Sequence, residues 1–240
     1  KRAFKSYFFI MKKIFKVIFS ISLCLTFFEA FLLFGAFSCE KKKTLNDFVS
    51  ELRTDVFEGS SDNYTLKAAY GFKETPYIND GVIGEKVYSL SFVLTNKLAD
   101  DVKRTVVFSF NQEDYRADFK FNPSSDSFTA GVEINDFNLK EFSVRIVAGS
   151  EAEYVTLKSV VPPTAITCDK ALEILSSEQS ALIDAYKNEN GEFSGEISER
   201  IIVKNEKPYW YVGLLNGKGG TKALLIDGLN GEILAVREII

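Results

Sequence analysis

The sequence predicts a mainly-β chain with an α+β end: an antiparallel β-sandwich followed by a small module of one helix and an antiparallel sheet. Three observations carry this. From Tyr64 onward, apolar residues recur at every second position, which is the mark of strands with one dry and one wet face. Turn-forming clusters punctuate these runs at Asn79-Asp80-Gly81, Asn122-Pro123, Asn135-Asp136 and Gly149-Ser150. After Val161-Pro162-Pro163 the period becomes helical and then returns to two.

The N-terminal part stands apart from this pattern. Of the 240 residues, 46% are hydrophobic and 26% charged. The formal net charge is −4, but residues 1–38 hold six basic residues against Glu29 alone. Without them the chain has 29 − 6 = 23 basic and 33 − 1 = 32 acidic residues, a balance near −9. Such an acidic surface argues against nucleic acid and anionic lipid as partners. Met11 is the single methionine and reads as the true start, with residues 1–10 as upstream translation. Lys12, Lys13 and Lys16 then lead into an apolar run from Val17 to Ser38, closed by Cys39 and the Lys41-Lys42-Lys43 cluster. A basic start followed by an apolar run is the pattern of an export segment. Residues 1–39 are therefore expected to be a signal region, and the remainder to lie outside the cytoplasm.

The ending Gly35-Ala36-Phe37-Ser38-Cys39 resembles the lipobox of bacterial lipoproteins. That resemblance implies a lipid on Cys39 and attachment to the cell membrane through it. Ordinary cleavage after Ser38 and an uncleaved anchor remain open beside it; for the latter the run is long enough to span if Glu29 is tolerated.

Residues 40–61 read as a tether and an amphipathic helix. Leu45, Phe48, Val49, Leu52 and Val56 fall at helical spacing, with Thr44 able to cap the start and Gly59 to end it. In residues 62–160 seven strands are expected. Their inward rows start from Tyr64, Tyr88, Val106, Tyr115, Phe128 and Phe142, and the last strand spans about Tyr154 to Val160. The row Tyr115, Ala117, Phe119, Phe121 alternates most cleanly with charge. Seven strands in about 100 residues is the count of an immunoglobulin-like sandwich. The resemblance is architectural, because the region contains neither tryptophan nor a cysteine pair. The aromatic rows read as core. The long connection Glu74 to Gly81 puts Tyr77 and Ile78 in a loop, the usual place for binding residues, and makes them candidate contacts.

Residues 161–163 read as a linker, since consecutive prolines cannot continue a ladder. In residues 164–240 a helix over Ala171–Tyr186 precedes strands at Ile197–Lys204, Pro208–Leu215, Lys222–Ile226 and Glu232–Ile239, with hairpin turns at Asn216-Gly217 and Asn230-Gly231. Trp210, Val212 and Leu214 share one strand face and read as core. Tyr209 and Tyr211 share the other, which a single helix leaves partly open, and they are the second pair of candidate contacts. Asp227 reads as a turn-fixing side chain.

The run Lys207-Pro208-Tyr209-Trp210-Tyr211-Val212, followed by Ile226-Asp227-Gly228-Leu229-Asn230-Gly231-Glu232, resembles the PepSY domain. The resemblance covers about a third of the chain. It implies a small α+β module found in protease propeptides and envelope proteins, and a partner that is an envelope protein or peptide, with a peptidase among the candidates. A structural or adhesive envelope protein is the alternative reading.

No enzyme chemistry is expected. The chain has no histidine, the commonest general base and metal ligand. Cys168 is the one thiol outside the export segment, and Asp169 and Lys170 beside it supply no general base of the imidazole type. Asp100-Asp101 and Glu113-Asp114 lack metal-ligand spacing, and Gly217-Lys218-Gly219-Gly220 lacks the spacing of a phosphate loop. Accordingly no metal and no cofactor is expected.

Overall fold

A computed structural model describes residues 43–96, 102–216 and 220–239. The expected export segment, Cys39 and the expected tether at Lys41 and Lys42 lie outside the described residues, as do Asp100, Asp101 and Gly217 to Gly219. The chain is mainly β. Among the described residues there are thirteen strands: β1 Val49–Ser60, β2 Tyr64–Thr75, β3 Glu85–Asn96, β4 Arg104–Phe110, β5 Glu113–Asp118, β6 Lys120–Asn122, β7 Ser127–Glu133, β8 Glu141–Ala148, β9 Glu151–Ser159, β10 Glu196–Lys204, β11 Lys207–Leu215, β12 Thr221–Asp227 and β13 Ile233–Ile239. Two helices, α1 Cys168–Glu178 and α2 Ser180–Asp184, lie between β9 and β10.

The first strand corrects the expectation of an amphipathic helix in residues 40–61. Only Leu45–Phe48 is helical, as a single 3-10 turn, and Val49–Ser60 is extended. Two β-bulges explain the misleading spacing. One shifts the register of β1 against β10 between Val49 and Glu51; the other shifts it against β2 between Arg53 and Asp55. Each bulge adds a residue and so reverses the in–out parity of the residues beyond it. Val49 and Leu52, three apart, oppose Ile197 and Glu199 and share a side. Leu52 and Phe57, five apart, oppose Phe72 and Ala68 and also share a side. The first bulge thus gives Val49 and Leu52 the interval of a helical turn, and the second removes the alternation by two that would have marked a strand. At the second bulge Gly71 opposes Arg53, and a Cβ there would collide with the Leu52 carbonyl oxygen.

β1 is the hub of the pairing. Along one edge it pairs antiparallel with β2 from Glu51 to Ser60. Its other edge forks: Val49 to Arg53 pair parallel with β10, whereas Phe57 and Glu58 pair antiparallel with β9. Asp55 sits at the fork, accepting hydrogen bonds from Ser159 Oγ and Lys140 Nζ at 2.5 Å each. The pairing runs β13-β12-β11-β10-β1-β2-β3-β7-β6, and β9, β8, β4 and β5 follow in pairs from the fork. The sheet is therefore continuous across Val161-Pro162-Pro163.

Two buried clusters form on this frame. In the first, Phe57, Leu66, Leu90, Phe92, Val106, Phe108, Ile146 and Leu157 meet from both arms, and the Phe92 and Phe108 rings lie 5.8 Å apart. The expected single strand at Tyr115–Phe121 is instead two: β5 pairs with β4, and β6 with β7. The chain changes partner at buried Phe119, which leaves Phe121 55% exposed against Phe128 rather than inward.

The second cluster gathers Ala171, Leu172 and Leu175 of α1 with Val49, Phe72, Ile197, Ile201, Trp210, Val212, Leu214, Leu224 and Ile226. Trp210 is buried and donates from Nε1 to Ile166 O at 2.9 Å. The helix expected over Ala171–Tyr186 breaks at Gln179 into α1 and α2. Asp227 Oδ1 accepts from the Leu229 and Asn230 amides, closing the β12–β13 turn as its position suggests.

Candidate functional site

The connection between β2 and β3, residues 76–84, folds over the start of β10. Three backbone amides of this loop reach buried carboxylates. Asp80 N and Gly81 N both donate to Glu196 Oε1 at 2.8 Å, and Gly84 N donates to Glu74 Oε2 at 2.8 Å. The far side of the loop is tied by Asn79 Nδ2, which donates to Asn216 O at 3.1 Å. With its backbone held this way, the loop presents Tyr77, Ile78 and Val82 at 43%, 54% and 71% exposure. Both loop residues named from the sequence are therefore at the surface. The Lys73 ammonium lies 3.4 Å from the centroid of the Tyr77 ring, a cation–π contact.

Beside the loop lies a charged cluster on the open side of the sheet. Glu51 is 3% exposed. It is met by Arg53 at 3.1 Å, by Ser198 Oγ at 3.2 Å and by Arg200 through a short ion pair. A buried carboxylate is tolerable only with such partners. The Tyr77 hydroxyl is pushed up by burial and then by Glu51, with Arg200 acting the other way, so the tyrosine and this cluster share a field.

Arg200 also connects the loop to the second pair of residues named from the sequence. It opposes Tyr211 in the β10–β11 register, and Tyr209 opposes Ile202. Tyr209 and Tyr211 are half-buried, on the side of β11 opposite Trp210, Val212 and Leu214. Tyr211 lies along its own strand: a Cβ on Gly213 would come within 3.3 Å of the Tyr211 ring and 3.4 Å of its hydroxyl. Glycine there leaves the ring room to lie flat, and Ile202, 43% exposed, adds apolar area beside it. Arg200 thus acts on Tyr77 of the loop and stands opposite Tyr211, with Tyr209 and Ile202 beside it, so that a loop and two strands bring aromatic and charged side chains together.

The sequence pointed to the tyrosines but not to Glu51, Arg53, Glu74, Glu196 or Arg200. A signal was present in Glu196-Ile197-Ser198-Glu199-Arg200-Ile201, where polar residues at 196, 198 and 200 alternate with Ile197 and Ile201 and Glu199 breaks the apolar row. Its partners are 115 to 149 residues away in the chain, out of reach of any spacing rule.

The helix side of β10 carries a different carboxyl. Glu199 is 1% exposed among Leu52, Val212 and the start of α1. Burial pushes its carboxyl up to about 8, and the Asp169 charge adds to this. The half-buried Cys168 thiol is raised by burial, then by Glu199 and Asp169. A thiol held protonated in this way is a weak nucleophile. Among the described residues no group of three or more acidic or thiol side chains is placed to hold a metal ion, and no helix is long and apolar enough to cross a membrane. Comparison with protein-family models, with characterised protein sequences and with solved structures yields no match for this chain.

Proposed function

We propose that this protein is an extracytoplasmic lipoprotein, anchored to the cell membrane through Cys39, whose folded part is a binding module for a protein or peptide of the cell envelope. The location rests on the basic start and the apolar run ending in Ser38-Cys39. In this reading the first cluster is the core of an immunoglobulin-like sandwich, and residues 164–240 are a PepSY-like module. A peptidase is then among the fitting partners.

The observation that carries the binding reading is the surface joining Tyr77 and Ile78 to Tyr209 and Tyr211 through Arg200. Aromatic rings give contact area at low conformational cost, and a tyrosine and arginine surface is the composition of a recognition patch rather than of idle exterior.

The test uses the membrane-bound full chain with a photo-crosslinking residue in place of Ile78. A crosslinked envelope polypeptide is expected. Adding Tyr209→Ala and Tyr211→Ala should reduce it at least several-fold while leaving the melting temperature nearly unchanged, because these rings are not core. Undiminished crosslinking in that variant would remove the surface from the binding role and favour the structural or adhesive reading. Cys39→Ala should abolish incorporation of labelled lipid; equal labelling would refute the anchor.

A further inference from the structure

The loop of residues 76–84 is held by two glutamates whose remaining oxygens present a problem of hydrogen-bond accounting. Glu74 is 2% exposed and Glu196 fully buried. Each gives one oxygen to loop amides. The other two, Glu74 Oε1 and Glu196 Oε2, are buried and have no hydrogen-bond donor. The two carboxyls hold the same short loop, Glu196 at Asp80 and Gly81 and Glu74 at Gly84, and the Glu196 side chain acts on the Glu74 carboxyl at hydrogen-bonding range. Two ionised carboxylates cannot hydrogen-bond at that range, since both only accept; two buried like charges there would also repel strongly. One proton resolves both difficulties, because a carboxylic acid donates to a carboxylate and each orphaned oxygen gains a partner.

We propose that Glu74 and Glu196 share a single proton, and that this proton is the latch closing the 76–84 loop onto β10. The latch is independent of what the surface binds. With the proton in place, Glu74 donates to Glu196 and both keep their outer oxygens on the loop amides. When the proton leaves, two buried anions face each other, and the nearest relief is for the loop to lift and admit water.

The surroundings favour the proton. The Glu74 carboxyl is raised by burial first, against the pull of the Gly84 amide, and then by Glu196 and Asp80. Asp80 and Tyr77 on the loop, Lys73 on β2 against the Tyr77 ring, Lys86 on β3, Glu51 and Arg53 on β1, and Arg200 on β10 are charged or titratable groups around it. Glu51 and Arg200 are engaged with each other. The Lys86 ammonium is itself pulled down by burial and lies 4.7 Å from the centroid of the Phe72 ring. A carboxyl raised on folding binds its proton more tightly in the folded state. The closed loop is therefore favoured at low pH and is loosened as pH rises through the raised Glu74 value.

The experiment is an NMR titration of the full chain in detergent, following the Glu74 side-chain carbon and the Asp80, Gly81 and Gly84 amides. In the wild type Glu74 should titrate above the ordinary glutamate value of about 4.3, and the three amides should move with the same midpoint. Glu74→Gln supplies a permanent donor to Glu196 and keeps an acceptor for Gly84, so the amides should hold their acid-form positions throughout. Glu196→Gln should do the same, and the wild-type titration decides the matter if either variant fails to fold. An ordinary Glu74 midpoint, or amides that ignore it, overturns the proposal. So does calcium restoring the acid-form positions at neutral pH, which would put a cation rather than a proton between the carboxyls.

Discussion

The two faces of β10 both bury carboxyl groups, and they do so by opposite means. On the open side, Glu51 of the neighbouring strand stays among Arg53, Arg200 and Ser198. On the helix side, Glu199 sits among Leu52, Val212 and α1, and the charged group that acts on it is another acid, Asp169. Glu51 is compensated by counter-charge, Glu199 by keeping its proton. A strand that must be dry on both faces can carry acids on each only if every one finds a cation or gives up its charge.

The helix side should be the more fragile. Trp210→Ala removes the ring that fills the space between β11 and α1 and leaves Ile166 O without its donor. A loss of about 3–5 kcal/mol is expected in chemical denaturation. A silent substitution would mean that the apolar face is not what holds α1 to the sheet.

Glu199 then separates the two mechanisms. Folding raises its carboxyl from about 4.5 to about 8. Its contribution to stability is therefore complete below about pH 4.5 and is lost progressively as pH rises towards 8, at no more than about 1.4 kcal/mol per pH unit. Glu199→Gln should flatten that slope and be the more stable form at pH 8. An unchanged slope would show that Glu199 is not held neutral.

The open side should yield least. Arg200→Met leaves Glu51 with Arg53 and Ser198, and Arg200 is 37% exposed, so solvent already weakens the pair. A cost of about 1–2 kcal/mol is expected from thermal melts in low salt, smaller in high salt. A loss as large as that of Trp210→Ala would make Glu51, rather than the second apolar cluster, the organiser of this half of the sheet.

Most strands were legible because each buries one face. The alternations from Tyr64, Tyr88, Val106, Phe128 and Phe142 all correspond to observed strands. β1 was not legible: its two bulges turn a period of two into apparent steps of three and five. Nor was the change of partner at Phe119, since local alternation says nothing of which neighbour a strand pairs with. Of the candidate surface, Tyr77, Ile78, Tyr209 and Tyr211 could be found as aromatic or apolar residues in a loop or on an uncovered face. Arg200, which joins them, could not, because its role depends on Glu51, 149 residues earlier.

By itself the sequence determined the mainly-β character, the turn at Asp227, the burial of Trp210 and the positions of most strands, all consequences of residue type and period over ten residues or so. Tertiary structure alone decided that β1 pairs with both β9 and β10, that Glu74 meets Glu196 under the 76–84 loop, and that Glu199 is dry while Glu51 is paired. These depend on which distant strands become neighbours. The energy that selects them, burial of apolar area and desolvation of charge, exists only once those neighbours are in place.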